Sequence, residues 1–136
     1  MTSLPDDAAG AVAVGWATVE FDRAAVELAH LLRPGSTFHE APSSVILGAR
    51  CRIGSAAEPS GLRMILLEPE TEGRLAATLA RAGEGWAATW YLDPGSDFRR
   101  RQSSVARPGP LGKERLLFGG LEGAHRLLVD GRTIAL

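Results

Sequence analysis

The sequence is poor in the residues that build disulfides, metal clusters and electrostatic binding surfaces. It has one cysteine, Cys51, in 136 residues, so neither an internal disulfide nor a thiolate metal cluster is possible. Its only lysine is Lys113 and its formal net charge is −1, which gives no general attraction to nucleic acid or to an anionic membrane. No apolar run reaches the about 20 residues of a membrane-spanning helix, and residues 1–10 lack the basic and apolar regions of a signal peptide. We therefore expect a cytoplasmic protein that binds neither nucleic acid nor membranes.

Several sequence motifs that are typical of enzymes are also absent. There is no Gly-x-Gly-x-x-Gly loop, no P-loop, no Gly-x-Ser-x-Gly elbow and no His-Glu-x-x-His pair. Hydrophobic residues make up 45% of the chain and charged residues 23%, which is typical of a globular protein. The length fits one domain, which we expect over residues 11–136 after a flexible segment over residues 1–10.

Hydrophobic periodicity predicts an α+β domain in which strands outnumber helices. A helix is predicted over residues 23–32, with Asp22 as its N-cap, and a second over residues 71–82. Residues 36–44 are predicted to be a loop, as are residues 96–112, which are rich in Ser, Pro, Gly and Arg. The predicted strands cover residues 11–19, 45–53, 62–68, 86–92, 115–118, 126–129 and 133–136.

Two stretches of the sequence resemble one superfamily. Residues 14–24, Val-Gly-Trp-Ala-Thr-Val-Glu-Phe-Asp-Arg-Ala, are similar to the first strand and helix start of vicinal oxygen chelate domains, the group that includes glyoxalases, bleomycin-resistance proteins and dioxygenases. Residues 66–86, in which Leu-Leu-Glu-Pro leads to a short helix and then to Gly-Glu-Gly-Trp, are similar to the middle of methylmalonyl-CoA epimerases. The resemblance implies paired βαβββ modules, over about residues 11–69 and 86–136, that form a half-open, eight-stranded barrel-like sheet. Because residues 93–112 show no amphipathic helix, the second module is either abbreviated or in a different register.

The superfamily holds a divalent metal on inward side chains, usually His, Gln or His, His and Glu, and the metal stabilises an enolate or binds dioxygen. Carried onto this sequence, the first three ligand positions fall on apolar residues, Ala13, Ile65 and Ala88. The fourth falls near Leu128 or Val129, with Asp130 available only after a shift of one or two residues. Because apolar side chains cannot bind a metal, we expect neither a metal nor another cofactor.

Small and aromatic residues around these positions predict a metal-free ligand cavity. Trp86 and Trp90 flank Ala88 at alternate strand positions and would offer flat surfaces for stacking. Arg63 shares the strand parity of Ile65, so it either pairs with a ligand carboxylate or lies on the rim. The alternative is that these residues form an ordinary packed core. The predicted ligand-binding residues are Ala13, Gly15, Ala17, Arg63, Ile65, Leu67, Trp86, Ala88 and Trp90.

Proton transfer in such a cavity would need a titratable side chain, and three are candidates. His125 begins a late strand, Glu68 ends the strand before a proline, and His39 stands beside Glu40 in a predicted loop at the cavity mouth. The structural alternatives are a strand end for Glu68 and an exposed loop for His39. Glu84, between two glycines, is predicted to be a solvated turn residue.

These observations predict a metal-independent, glyoxalase-like protein whose apolar, Trp-lined cavity binds a hydrophobic or aromatic small molecule. The ligand would be sequestered, as in drug resistance, or would undergo a metal-free rearrangement in secondary metabolism. One alternative is a metal-dependent lyase or isomerase of the epimerase or glyoxalase type, in which His125, Asp130, Glu68 and Glu20 converge. A second is a non-catalytic assembly domain. The sequence does not decide between enzyme and binder, and the resemblance implies a homodimer.

Overall fold

The computed structural model describes residues 2–5, 10–93, 105–117 and 125–130. Two helices, α1 (Phe21–Leu28) and α2 (Arg74–Ala82), accompany the strands, and a 3-10 turn over Ala29–Leu31 extends the first. The strands are β1 (Ala13–Ala17), β2 (His39–Ser44), β3 (Ala49–Ser55), β4 (Arg63–Pro69), β5 (Gly85–Asp93), β6 (Arg107–Gly109), β7 (Gly112–Leu116) and β8 (His125–Asp130). Neither helix of this described part is long and apolar enough to cross a membrane.

All eight strands belong to one mixed sheet with the order β2-β3-β4-β1-β5-β8-β7-β6. Its two halves, β1 to β4 and β5 to β8, join where β1 pairs antiparallel with β5. Within each half the outer strands are antiparallel, while β1 pairs in parallel with β4 and β5 with β8. The sheet curls so that its two edges meet. Where they meet, the N–H of Val45, the residue after β2, donates to the carbonyl of Pro108 in β6 over 3.1 Å. The predicted α+β fold class and the half-open, eight-stranded, barrel-like sheet are confirmed, and the sheet is nearly closed.

Alternation along the strands separates two apolar layers. One face of β1 and β4 carries Ala13, Ala17, Ile65 and Leu67, which pack inside the barrel. The opposite face carries Val14, Trp16, Met64 and Leu66, which pack against α1 through Ala24 and Leu28. Helix α2 contributes Leu75 to the interior layer instead, so it covers the barrel next to the ends of β4 and β5. The interior is the part of the fold that positions a site.

The prediction of a loop over residues 36–44 and a strand over residues 45–53 was wrong at their junction. Residues 39–44 form the edge strand β2, and residues 45–48 form the turn that leads into β3. Gly48 has a φ of +66° in this turn, a conformation that glycine adopts without strain. The sequence of β2 is mostly polar and therefore lacks the apolar pattern from which a strand is predicted. An edge strand can form without that pattern, because it needs only backbone hydrogen bonds to its one neighbour.

Candidate functional site

The positions that correspond to the metal ligands lie together inside the barrel. Ala13, Ile65 and Ala88 are almost completely buried in the interior layer, and Gly15 of β1 pairs with both Ile65 and Ala88. On β8, Val129 belongs to the same layer, so of Leu128 and Val129 it is the residue that faces the interior. None of these side chains has a donor atom, so the residues do not fit the superfamily's metal.

The indole ring of Trp90 fills the space that the small residues leave. Trp90 has no exposed surface and stands opposite Ala13 in the β1–β5 pairing. A Cβ placed on Gly15 would lie 2.7 Å from the Trp90 ring and 2.8 Å from Leu67. A larger residue at this position would force Trp90 or Leu67 to shift, so the interior is tightly packed around the indole.

The structure brings most of the predicted ligand-binding residues together but separates Trp86 from them. Between Gly15 and Trp16 the β1–β5 register shifts, so that Ala87 is an extra residue on β5. This bulge reverses the alternation, and the Trp86 ring packs edge-on against Trp16 on the α1 side, with 5.1 Å between ring centroids. Its N–H donates to the Ser3 carbonyl over 2.9 Å. The prediction that Trp86 and Trp90 share a face was therefore wrong. Arg63, another of the predicted ligand-binding residues, lies half-buried at the start of β4.

Glu114 of β7 is an interior residue that the sequence analysis missed. Its side chain has no exposed surface. The Trp90 indole N–H donates to Oε1 over 2.9 Å, and the Ser44 hydroxyl donates to Oε2 over 2.7 Å. Ser44 also accepts the Leu47 N–H over 3.2 Å, so the hydroxyl is held in place by the turn after β2. We call Glu114, Trp90 and Ser44 the interior polar cluster.

Burial raises the pKa of Glu114, and its hydrogen bonds to Ser44 and Trp90 oppose the rise. Desolvation is the larger effect, because a carboxylate loses most of its hydration energy inside an apolar barrel. Gly109 makes room for the group: a Cβ at Gly109 would collide with Oε1 of Glu114. A carboxyl group with a raised pKa in such a setting can donate a hydrogen bond or transfer a proton.

The sequence carries a weak signal for this residue. The predicted strand began at residue 115, one position after Glu114. Extending it back to Gly112 gives Glu114 the same strand parity as Leu116, which is buried. A carboxylate at a core-facing position is unusual enough to indicate function or a specific partner. Only the curling of the sheet shows that Ser44 and Trp90 are the hydrogen-bond partners of Glu114.

The three predicted catalytic residues lie in different surroundings. Glu68 has the strand parity of Met64 and Leu66, on the α1 side, where it accepts the Phe21 N–H over 3.3 Å and pairs with Arg50. It thereby satisfies the start of α1, and this contact replaces the predicted Asp22 cap: the N-cap residue is Glu20, without a side-chain cap.

His125 and His39 sit on two different strands. The Nε2 atom of His125 lies 3.0 Å from the Thr78 hydroxyl of α2. Burial lowers the pKa of His125, and the positive charges of Arg74 and Arg81 lower it further. His39 is exposed at the start of the edge strand β2, where it pairs with Ile53.

Glu84 is not the solvated turn residue that its flanking glycines suggested. It accepts the Thr18 hydroxyl over 2.6 Å and pairs with Arg23 over 2.8 Å. The hydrogen bond from Arg23 is the main reason that the pKa of Glu84 is lowered. This network ties the start of β5 to α1 on the outer side of the sheet. The sequence also contains a run of three arginines, Arg99–Arg101, which lies outside the described residues.

Solved structures with the same fold include several methylmalonyl-CoA epimerases and a hypothetical protein. The Mycobacterium tuberculosis epimerase is 21% identical with a TM-score of 0.68, over 94% of this chain and 92% of that one. A Streptomyces coelicolor epimerase variant bound to 2-nitronate-propionyl-CoA is 19% identical with a TM-score of 0.70, over 93% and 96%. A hypothetical protein from Bacillus halodurans is 16% identical with a TM-score of 0.65, over 93% and 96%. No protein-family model and no curated protein sequence matches. The chain thus has the vicinal oxygen chelate fold over almost its whole length.

Proposed function

We propose that this protein binds a hydrophobic or aromatic small molecule inside its barrel without a metal ion. The observation that supports this most directly is the chemistry of the interior. Ala13, Ile65 and Ala88 stand where the resemblance places metal ligands, and Glu114, a carboxyl group that reaches the interior, bonds to Trp90. A site of this composition binds through apolar burial, stacking and a few directed hydrogen bonds.

Ligand binding would require Trp90 to move. The ring is in contact with Gly15 and Leu67, so a ligand can enter the interior only by taking the volume of the indole or by displacing it. Rotation of Trp90 would break its 2.9 Å bond to Glu114 and expose the carboxyl group to the ligand. The indole would then stack on the ligand instead of filling the interior itself.

The carboxyl group of Glu114 allows two kinds of chemistry at the proposed site, hydrogen bonding and proton transfer. A neutral carboxyl group next to an apolar ligand can donate a hydrogen bond to a ligand oxygen, which is sufficient for sequestration. In its ionised form the same group can take a proton from a carbon acid and, as the carboxylic acid, return it to another atom of the ligand, which would support a metal-free rearrangement of the lyase or isomerase type. A raised pKa favours the hydrogen bond because the carboxyl group keeps its proton to a higher pH, and it favours proton abstraction because the carboxylate is then a stronger base.

The alternative is an epimerase-type isomerase, which the shared fold favours. One neighbouring epimerase was solved with methylmalonyl-CoA, so a CoA thioester is a second ligand class to test. The residues that a shifted register would recruit are not gathered in one place: Glu68 faces α1, and Glu20 is exposed. His125 and Asp130 are at the two ends of β8, about 16 Å apart at 3.3 Å per residue. No group of three potential ligands forms among residues 2–5, 10–93, 105–117 and 125–130.

Tryptophan fluorescence separates the interior from the α1 side. The chain has three tryptophans, of which Trp90 is interior and Trp16 and Trp86 pack together elsewhere. We expect an aromatic ligand to quench the emission of the wild type and of Trp86→Phe, but not that of Trp90→Phe. Loss of the response in Trp86→Phe alone, with Trp90→Phe unchanged, would move the site to the other face and contradict the proposal.

Metal analysis tests the other half of the proposal. Protein reconstituted with Ni, Co, Mn, Fe or Zn should retain only traces of each after desalting, and chelators should leave ligand quenching unchanged. Near-stoichiometric metal that His125→Ala removes would favour the epimerase-type alternative, to be followed by an epimerisation assay. A homodimer, which the family resemblance implies, and a cytoplasmic location remain predictions; sedimentation and fractionation would test them.

A further inference from the structure

A surface pocket opens close to the contact between Ser44 and Glu114. It has a volume of about 320 Å³, at the lower end of the range for small-molecule sites. Val45 of its wall directly follows Ser44, and Arg107 is the register partner of Glu114 in the β6–β7 hairpin. The pocket, here named the rim pocket, is lined by Val45, Ile46, Arg74, Val105, Arg107 and Leu116.

The rim pocket exposes large apolar side chains. Val45 is 56% exposed and Val105 is 70% exposed, and they come from opposite sides of the meeting edges. The buried Leu116 and the half-buried Ile46 also line the pocket. Two exposed valines in one concavity leave apolar area in water that a ligand chain would cover, with a favourable free energy.

The same pocket holds two positive charges that find no carboxylate in the described part of the chain. Arg74 and Arg107 form no salt bridge to any described residue, in contrast to Arg23, Arg50 and Arg52. Arg74 is the first residue of α2 and Arg107 belongs to β6, so two separate elements bring an arginine to the wall of one pocket. Guanidinium forks suit the planar or tetrahedral oxygens of carboxylates and phosphates.

We infer that the rim pocket binds an amphipathic organic anion, with its oxyanion head between Arg74 and Arg107 and a short aliphatic chain against Val45 and Val105. This inference goes beyond the proposed function, because it concerns a surface pocket and does not need a ligand in the interior. It rests on the combination of unpaired cations with exposed apolar area. Either feature alone would select a simple anion or a neutral apolar molecule.

Calorimetric titration with three probes tests the head and the chain separately. Hexyl phosphate should bind, whereas inorganic phosphate lacks the chain and hexanol lacks the charge, so both should bind more weakly. Each methylene that becomes buried should tighten binding by up to about fourfold. Inorganic phosphate binding as tightly as hexyl phosphate would overturn the inference, because the valines would then contribute nothing.

Matched variants locate the binding. Arg74→Gln and Val45→Ser should each weaken hexyl phosphate binding, the first by about tenfold for one lost charge-assisted contact. The controls are Arg33→Gln and Val26→Ser, which remove an exposed arginine and a 78% exposed valine that lie beside a different groove on α1. Both controls should bind as the wild type does. Equal weakening by Arg33→Gln would mean that only net charge matters, and absence of binding by the wild type would refute the site outright.

The Trp90→Phe variant keeps this test separate from the proposed function. Trp90 is not in the rim pocket, so hexyl phosphate should bind this variant with unchanged affinity. Loss of hexyl phosphate binding in Trp90→Phe, with Arg74→Gln unaffected, would place the anion inside the barrel and contradict the inference.

Discussion

Replacing Glu114 by glutamine should change how the stability of the barrel depends on pH. Glutamine has the shape of a protonated glutamic acid and can accept the Trp90 N–H while donating to the Ser44 oxygen, so both contacts of the interior polar cluster survive. It cannot ionise. The difference between wild type and Glu114→Gln therefore isolates the proton on one buried carboxyl group.

The sign follows from the raised pKa of Glu114 in the folded state. Burial moves it above the ordinary value of 4.5, so the folded protein keeps this proton to a higher pH than the unfolded chain does. Stability from this group is fully present below the unfolded-state pKa and is lost as pH rises through the folded-state pKa. Between the two, the free energy of unfolding should fall with a limiting slope of about 1.4 kcal/mol per pH unit. Against a typical total of about 5–15 kcal/mol, such a slope is readily measured.

Urea unfolding at a series of pH values from acid to mildly alkaline gives the measurement. The free energy of unfolding of the wild type minus that of Glu114→Gln should decrease as pH rises. Glu84→Gln is the matched control, since the pKa of Glu84 is lowered by Arg23 and its contribution is lost as pH falls. Its difference curve should slope the other way. A flat or rising curve for Glu114 would refute the reasoning, because it would mean that the carboxylate is the form the barrel stabilises.

Three further perturbations have directions set by the structure. Gly15→Ala should lower the free energy of unfolding by about 1–3 kcal/mol in urea melts, because its Cβ would lie 2.7 Å from the Trp90 ring; a Trp90→Phe background should recover part of the loss. Arg74→Gln should raise the pKa of His125, followed by NMR titration, since the arginine's charge disfavours the imidazolium; an unchanged pKa would leave burial and Arg81 as the causes. Glu114→Leu should be less stable than Glu114→Gln by about 1–3 kcal/mol for each hydrogen-bonding group it leaves unpaired, and equal melting curves would show that the cluster has no net effect.

Most of the fold could be predicted because local patterns and global arrangement agree. The small, β-branched and apolar residues 11–19 predicted a strand, and the resemblance placed Ala13 and Ala17 at the cavity; both are interior. The Leu-Glu-Pro stretch predicted the end of β4 and the position of α2 to within three residues at its start. The interior placement of Ile65 and Ala88 followed from the same resemblance.

The site was harder to predict because its decisive features depend on contacts between distant strands. The bulge at Ala87 reverses the side-chain alternation, and no glycine or proline at that position announces it. The prediction therefore placed Trp86 on the wrong face of the sheet. Glu114 is followed by a basic residue and preceded by another, so it looks like part of a solvated charge run until β7 is known to pair with β8 and to face Trp90.

The interior polar cluster links barrel closure to ligand choice. Ser44 belongs to the edge strand β2, Trp90 to the central β5, and Glu114 to β7 beside the opposite edge, so one carboxyl group joins three strands. A shifted register would leave a buried polar atom without a partner, which penalises other ways of closing the sheet. A ligand that displaces the indole inherits the same penalty unless it offers Glu114 a hydrogen-bonding atom in return. The molecule best matched to this interior is therefore a flat apolar ring with one polar group at its edge, and a pure hydrocarbon of equal size should bind less tightly.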